Sequence, residues 1–151
     1  MLDGLFVAPA VSAVTEALGS AGADGKIAVI ANAKLAVALA GPTRDVIAIG
    51  MSARAARKLT NALADLSAIE DRSLAAVVGV DIAVDDGWEI TLKEWTRVVQ
   101  DGGVIVTVDR GHGAEASRRA LCSGLTEIEQ RHVGRTVVTS GLVTHLQTAA
   151  G

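Results

Sequence analysis

One stretch late in the chain limits what it can fold into more than any other: Glu94-Trp95-Thr96-Arg97-Val98-Val99-Gln100-Asp101-Gly102-Gly103, followed by Val104-Ile105-Val106-Thr107-Val108-Asp109. Leu92, Trp95 and Val99 fall on one stripe, which predicts a helix from about Trp88 to Val99. The glycine pair stops it, because glycine adopts the backbone angles that a sharp exit needs. Val104 to Val108 then reads as a continuous apolar run, the pattern of a strand covered on both faces. A helix that hands over directly to such a strand is the repeating step of an α/β sheet.

The rest of the chain repeats the step. A first helix is expected from about Pro9 to Leu18, with Val11, Val14 and Leu18 on one face. Ile27 to Ala31 predicts a buried strand, Lys34 to Ala40 a short helix, and Asp45 to Gly50 a second strand. Ser52 is a suitable N-cap for a helix reaching Leu66, on which Leu59, Leu63 and Leu66 share a face. Leu74 to Val80 predicts a further buried strand, and Ala114 to Cys122 a helix after the Gly111-His112-Gly113 turn. Thr126 to Val133 and Thr136 to His145, joined by Gly134-Arg135, have the spacing of an antiparallel hairpin. With no linker and no repeat, residues 1–151 read as one domain.

Composition narrows the function classes. Aromatic residues are only 2 %, so the core must be built from Ala, Val, Leu and Ile, and base-stacking platforms for single-stranded nucleic acid are missing. A net charge of −3 gives no footprint for a polyphosphate backbone. Cys122 is the single cysteine, which excludes an intrachain disulfide and a thiolate metal cluster and fits a cytoplasmic setting. The apolar run Leu5-Phe6-Val7-Ala8 follows an acid and no basic residue, unlike a secretory leader, and no run is long enough for a membrane span.

The element order resembles that of class I S-adenosylmethionine-dependent methyltransferases. Glu94 to Gly103 is similar to that family's "E-x-x-R-V-L-K-P-G-G", with Val99, Gln100 and Asp101 in place of Leu, Lys and Pro. Asp71-Arg72-Ser73-Leu74-Ala75-Ala76-Val77-Val78 resembles the family's turn into its fourth strand, Val104 to Asp109 its fifth strand, and Leu125 to Glu129 with Val137 to Val143 its terminal hairpin. The resemblance implies a Rossmann-like three-layer α/β sandwich, its sheet mostly parallel and closed by a C-terminal antiparallel hairpin.

The same resemblance exposes three departures. The family's first strand bends into a loop like "D-x-G-x-G-x-G", whose glycines let the backbone approach the cofactor. Here Ile30-Ala31-Asn32-Ala33-Lys34-Leu35-Ala36-Val37 has neither glycine nor acid, so Asn32 and Lys34 stand at degenerate cofactor positions. The acid that ends the family's second strand and holds the ribose hydroxyls is replaced by Gly50, followed by Met51. The acid of its fourth strand falls at Ala75.

Two loops at predicted strand ends carry candidate chemistry. Asp109-Arg110-Gly111-His112-Gly113 has two readings: Asp109 orients His112 as a general base, or Asp109 caps the strand and helix beside a solvated His112. The lack of a nucleophile or metal set favours the second. Asp81, Asp85 and Asp86 lie where the family places substrate contacts, yet Asp85-Asp86-Gly87 is also an ordinary helix start with acids at its positive end. As a cation pair they lack further ligands, and His112, His132 and His145 are too scattered for a zinc motif, so no metal is expected. Trp88 is expected to line a pocket or partner surface, Cys122 to sit in the core beside Leu121, and Arg118, Arg119, Arg131 and Arg135 to be solvated.

These features lead to one expectation and one alternative. The expectation is a degenerate methyltransferase-like domain, a pseudoenzyme without cofactor, acting as a homo-oligomer or beside a protein subunit. The alternative is a small-molecule methyltransferase with an altered S-adenosylmethionine site.

Overall fold

Alternate side chains of the central strands point into two separate cores. Ile27, Val29, Ala76, Val78, Val104, Val106 and Val108 enter one; Ala28, Leu74, Val77 and Ile105 enter the other. That is the physical content of the continuous apolar runs: a strand buried on both faces has no polar side to show. The structure, a computed structural model, describes residues 10–22, 25–40, 44–52, 54, 57 and 62–145.

Its sheet has seven strands: β1 (Gly25–Ile30), β2 (Arg44–Ile49), β3 (Ala62–Leu63), β4 (Leu74–Val80), β5 (Val99–Arg110), β6 (Thr126–Val133) and β7 (Thr136–Leu142). They lie in the order β3-β2-β1-β4-β5-β7-β6. Strands β1 to β5 pair in parallel, while β7 is antiparallel to both β5 and β6. Helices α1 (Ala10–Ser20) and α2 (Ala33–Leu39) pack on the first core, and α3 (Trp88–Val98) and α4 (Gly113–Cys122) on the second. The result is the three-layer α/β sandwich with an antiparallel C-terminal hairpin that the sequence predicts.

The glycine pair works as a joint between sheet and hairpin. Gly102 takes the left-handed φ of 82°. A Cβ on Gly103 would stand 2.7 Å from the Ala75 carbonyl oxygen and 2.5 Å from Val99 Cγ1, so only glycine lets β5 lie this close to β4. Gly102 N–H donates to the Val143 carbonyl and Val143 N–H to the Gly103 carbonyl, both at 2.8 Å. Past the hairpin, His145 Nε2 reaches the Val99 carbonyl at 2.7 Å and its backbone N–H reaches Asp101 Oδ1, which ties the end of β7 to the same joint.

Arg97, in the same stretch, is structural. Its guanidinium donates to the carbonyls of Leu66 and Ile69 and to the carboxylates of Glu94 and Asp71. It therefore fastens α3 to the turns that lead into β4.

Two expectations are corrected. The helix from Ser52 to Leu66 does not continue to its predicted end: Ala62–Leu63 is a short strand and Leu66–Ala68 a single 3-10 turn. Leu59 lies outside the described residues. The leucine spacing fits a helix, but Ala62 and Leu63 pair with Ala48 and Ile49 and so extend the sheet past β2. Tertiary pairing overrides local periodicity there. Cys122 is not in the core: it is exposed, 4.0 Å from the Arg118 guanidinium, and Leu121 beside it is exposed too. Helix α4 buries Ala116 and Ala120, about 100–140° round from where Leu121 points.

Candidate functional site

The C-terminal ends of β1, β2, β4 and β5 form the edge at which open α/β sheets bind ligands. Each end is closed by a tight backbone device. Ala31 leaves β1 with a left-handed φ of 53°, and its N–H donates to the Ile49 carbonyl at 2.7 Å. The chain thus keeps a sharp bend after its first strand without a glycine to make it easy. Asn32 follows in extended conformation, and its Oδ1 accepts the Leu35 N–H at 2.9 Å as the N-cap of α2. Lys34 is exposed. Gly50 ends β2 at φ 68°, its N–H on the Leu63 carbonyl, and Met51 packs against the first core. Ala75 is buried within β4.

The ends of β4 and β5 are joined by hydrogen bonds. Asp81, at φ 59°, passes its N–H to the Val108 carbonyl and leads into the 3-10 turn Ile82–Val84. Asp109 is only 1 % exposed and its Oδ1 accepts the Ala83 N–H at 2.8 Å. Its Oδ2 has no hydrogen-bond partner, and neither has the buried Thr107 Oγ1 on the same side of β5. Burial, with the nearby negative charge of Asp81, pushes the Asp109 carboxyl up to about 6; the Ala83 N–H, the Thr107 hydroxyl and His112 oppose the rise.

Asp109 and His112 do not form an oriented acid–base pair. His112 is exposed, in left-handed conformation at the start of α4, and no hydrogen bond connects its ring to the carboxyl. Asp109 does act as a cap, but of the 3-10 turn after β4 and not of its own helix.

The acidic turn is organised as a helix start. Asp85 Oδ1 accepts the Gly87 N–H and Oδ2 the Thr91 hydroxyl, while Asp86 is exposed. Trp88 is half-buried beneath two guanidinium groups, Arg118 at 5.6 Å and Arg119 at 5.3 Å from the ring centre. Arg119, its side chain 14 % exposed, donates to the carbonyls of Ile82 and Asp85 and to Glu115. It clamps α4 to the acidic turn and is no solvated arginine. Its partners lie 34 and 37 residues away, a distance no local pattern could signal. A shallow depression beside it is lined by Trp88, Lys93, Thr96 and Cys122. Among the described residues no group of three or more His, Cys, Asp or Glu could hold a metal ion.

The sequence matches no protein-family model and no curated protein. The fold, in contrast, is shared with many solved structures. The N-methyltransferase NodS from Bradyrhizobium japonicum is 16 % identical, with a TM-score of 0.70 over 96 % of this chain and 100 % of that one. A chain from the complex between the Trm112 methyltransferase activator of Haloferax volcanii and a candidate methyltransferase is 15 % identical, with a TM-score of 0.70 over 95 % and 94 %. A SAM-dependent methyltransferase from Thermotoga maritima is 15 % identical, with a TM-score of 0.66 over 92 % and 93 %. In strand order, helix placement and terminal hairpin, this chain has the fold of the class I S-adenosylmethionine-dependent methyltransferases.

Proposed function

We propose that this chain is a pseudoenzyme: a single methyltransferase-fold domain that acts through protein contacts and performs no chemistry on S-adenosylmethionine. The observation that carries the reading is the corner between β1 and β2. The turn after β1 is built from Ala31, Asn32 and Ala33, and the Asn32 side chain is committed to capping α2. No carboxylate stands at Gly50 to take up the ribose hydroxyls, and Ala75 offers none from β4. The residues present therefore do not fit the cofactor.

Two further observations support a protein partner. Val84, Ile90 and Leu121, on the turn and helices that cover the second core, are 60 %, 79 % and 59 % exposed. One fold neighbour comes from a complex of a methyltransferase activator with a second protein. The partner is a second copy of this chain or a separate subunit, and the setting is cytoplasmic, in keeping with one exposed free cysteine. No helix among the described residues is long and apolar enough to cross a membrane.

A second reading has one observation in its favour. Asp109 is a buried acid with a raised pKa at the strand ends, the kind of group that active sites keep. On that reading the chain is a small-molecule methyltransferase with an altered cofactor site. Calorimetric titration with S-adenosylmethionine and S-adenosylhomocysteine separates the two. The pseudoenzyme reading expects no saturable heat, and micromolar binding of either ligand overturns it. Light scattering then divides the partner classes, since a monomer at micromolar concentration removes self-association.

A further inference from the structure

The last turn of α1 and the C-terminal hairpin border a cavity of about 250 Å³. It lies at the start of β5, so at the far end of the sheet from Ala31, Gly50 and Asp109. Ala17, Ser20 and Ala21 line one side, and Val104 and Leu142 line the apolar floor. Glu127, Glu129 and Ser140 complete it. Strand register explains why Ser140 and Glu129 converge there. Ser140 pairs with Val106 and with Glu129, and Leu142 pairs with Val104. Residues directly opposite in a sheet share a face, and Val104 and Val106 face the core under α1.

Three observations agree on what the cavity accepts. Ser140 is only 6 % exposed, yet among the described residues its hydroxyl has no hydrogen-bond partner. A buried hydroxyl is ordinarily bonded, so this one is left for a group that enters the cavity. The end of α1 carries the partial negative charge of its last carbonyls, and the helix has no basic residue in its last turn. Glu127 has no ion-pair partner among the described residues, while Glu16 and Glu129 share Arg131 at 3.7 and 3.9 Å. Arg131 also donates to Ser20 Oγ at 3.3 Å. It is one positive charge beside three carboxylates, and no cationic side chain lines the cavity itself.

We propose that this cavity binds a primary ammonium group on a short aliphatic chain, from a free amine or from a lysine side chain. An ammonium has three N–H donors and no acceptor, which suits a carboxylate, a free hydroxyl and a helix carbonyl end together. Its aliphatic chain lies along Ala17, Val104 and Leu142. A quaternary ammonium has no N–H to donate and is recognised by aromatic faces, and no aromatic residue lines this cavity. The site is remote from the corner between β1 and β2, so the inference holds whether or not the domain binds S-adenosylmethionine.

The test is a titration of the full chain followed by nitrogen-15 amide NMR. Butylamine and Nα-acetyl-lysine methylamide are added separately at neutral pH. Saturable shifts should appear at Ala21, Gly102 and Gly141, with a Kd of about 1 mM or below. The tighter of the two ligands assigns the source, free amine or lysine. Glu127→Gln should weaken binding about tenfold, and Ser140→Ala about fivefold, the loss of a charged and of a neutral hydrogen bond. Both are close to isosteric, and an otherwise unmoved amide spectrum confirms that each variant folds. Tetramethylammonium should bind at least tenfold more weakly than butylamine. No saturation by either amine at about 50 mM, shifts centred elsewhere, equal binding of tetramethylammonium, or unchanged affinity in both variants overturns the site.

Discussion

Gly79 offers the sharpest test of how the second core is built. It lies in β4 with a backbone that any residue adopts, so Gly79→Ala changes packing and not backbone strain. The added Cβ would stand 2.2 Å from Trp95 Cη2, 2.7 Å from Cζ2 and 2.9 Å from Cζ3. To reach ordinary contact the ring must retreat by more than an ångström. Trp95 is 5 % exposed and is held between β4 and the rest of α3, so it has nowhere to retreat. Overpacking of a closed core costs about 1–3 kcal/mol, and a rigid indole places this case at the upper end. Replacing glycine in a strand returns roughly 0.5–1 kcal/mol through the unfolded chain. The net expected loss is about 2 kcal/mol. Urea unfolding followed by far-ultraviolet circular dichroism should then show the midpoint falling by about 1 M at an m-value near 2 kcal/mol/M. In a Trp95→Leu background the same substitution should cost nothing, because the ring atoms it strikes are gone. A Gly79→Ala protein within about 0.5 kcal/mol of wild type, or an equal cost in both backgrounds, would refute the packing argument.

Three further outcomes follow from the geometry. Arg119→Ala removes two hydrogen bonds that join α4 to the acidic turn and a third to Glu115 on the same helix, and should cost about 2 kcal/mol, a fall of roughly 4–8 °C in a thermal melt; Arg119→Lys should recover little, since one ammonium cannot span two carbonyls and a carboxylate. Asn32→Ala removes the N-cap of α2 and should cost about 1 kcal/mol by urea unfolding, whereas Asn32→Asp should be near neutral. Because the folded-state pKa of Asp109 is raised from 3.8 to about 6, its stabilising contribution is complete below about pH 3.8 and is lost as the pH rises through 6. Glu115, held down to about 2 by Arg118 and Arg119, acts with the opposite sign and gives up its contribution as the pH falls below the ordinary glutamate value. Unfolding free energies measured across pH 4 to 8 should therefore decline toward alkaline pH in wild type, and Asp109→Asn should flatten that decline.

The sequence alone determined the scaffold. Residues 104–108 have no polar alternation, so their strand had to be covered on both faces, and a helix precedes it; that helix ends at Val98, however, and Gly102-Gly103, expected to stop it, lie inside β5. The hairpin was equally legible, because Gly134-Arg135 separates two runs of strand-forming residues. Local chemistry governs these features, and local chemistry can be read in order along the chain.

Tertiary structure decided the rest, since each case depends on a residue far away in sequence. Leu63 has helical spacing from its neighbouring leucines in the sequence but pairs with Ile49 in the sheet. Cys122 follows an apolar residue, yet the face of α4 that meets the sheet is the one carrying Ala116 and Ala120. Arg119 looked solvated until the fold brought the carbonyls of Ile82 and Asp85 to its guanidinium. Asp109 was visible as an acid at a strand end; that one of its oxygens holds Ala83 and the other holds nothing followed only from burial, which sets the cost of a charge and is a property of the folded molecule.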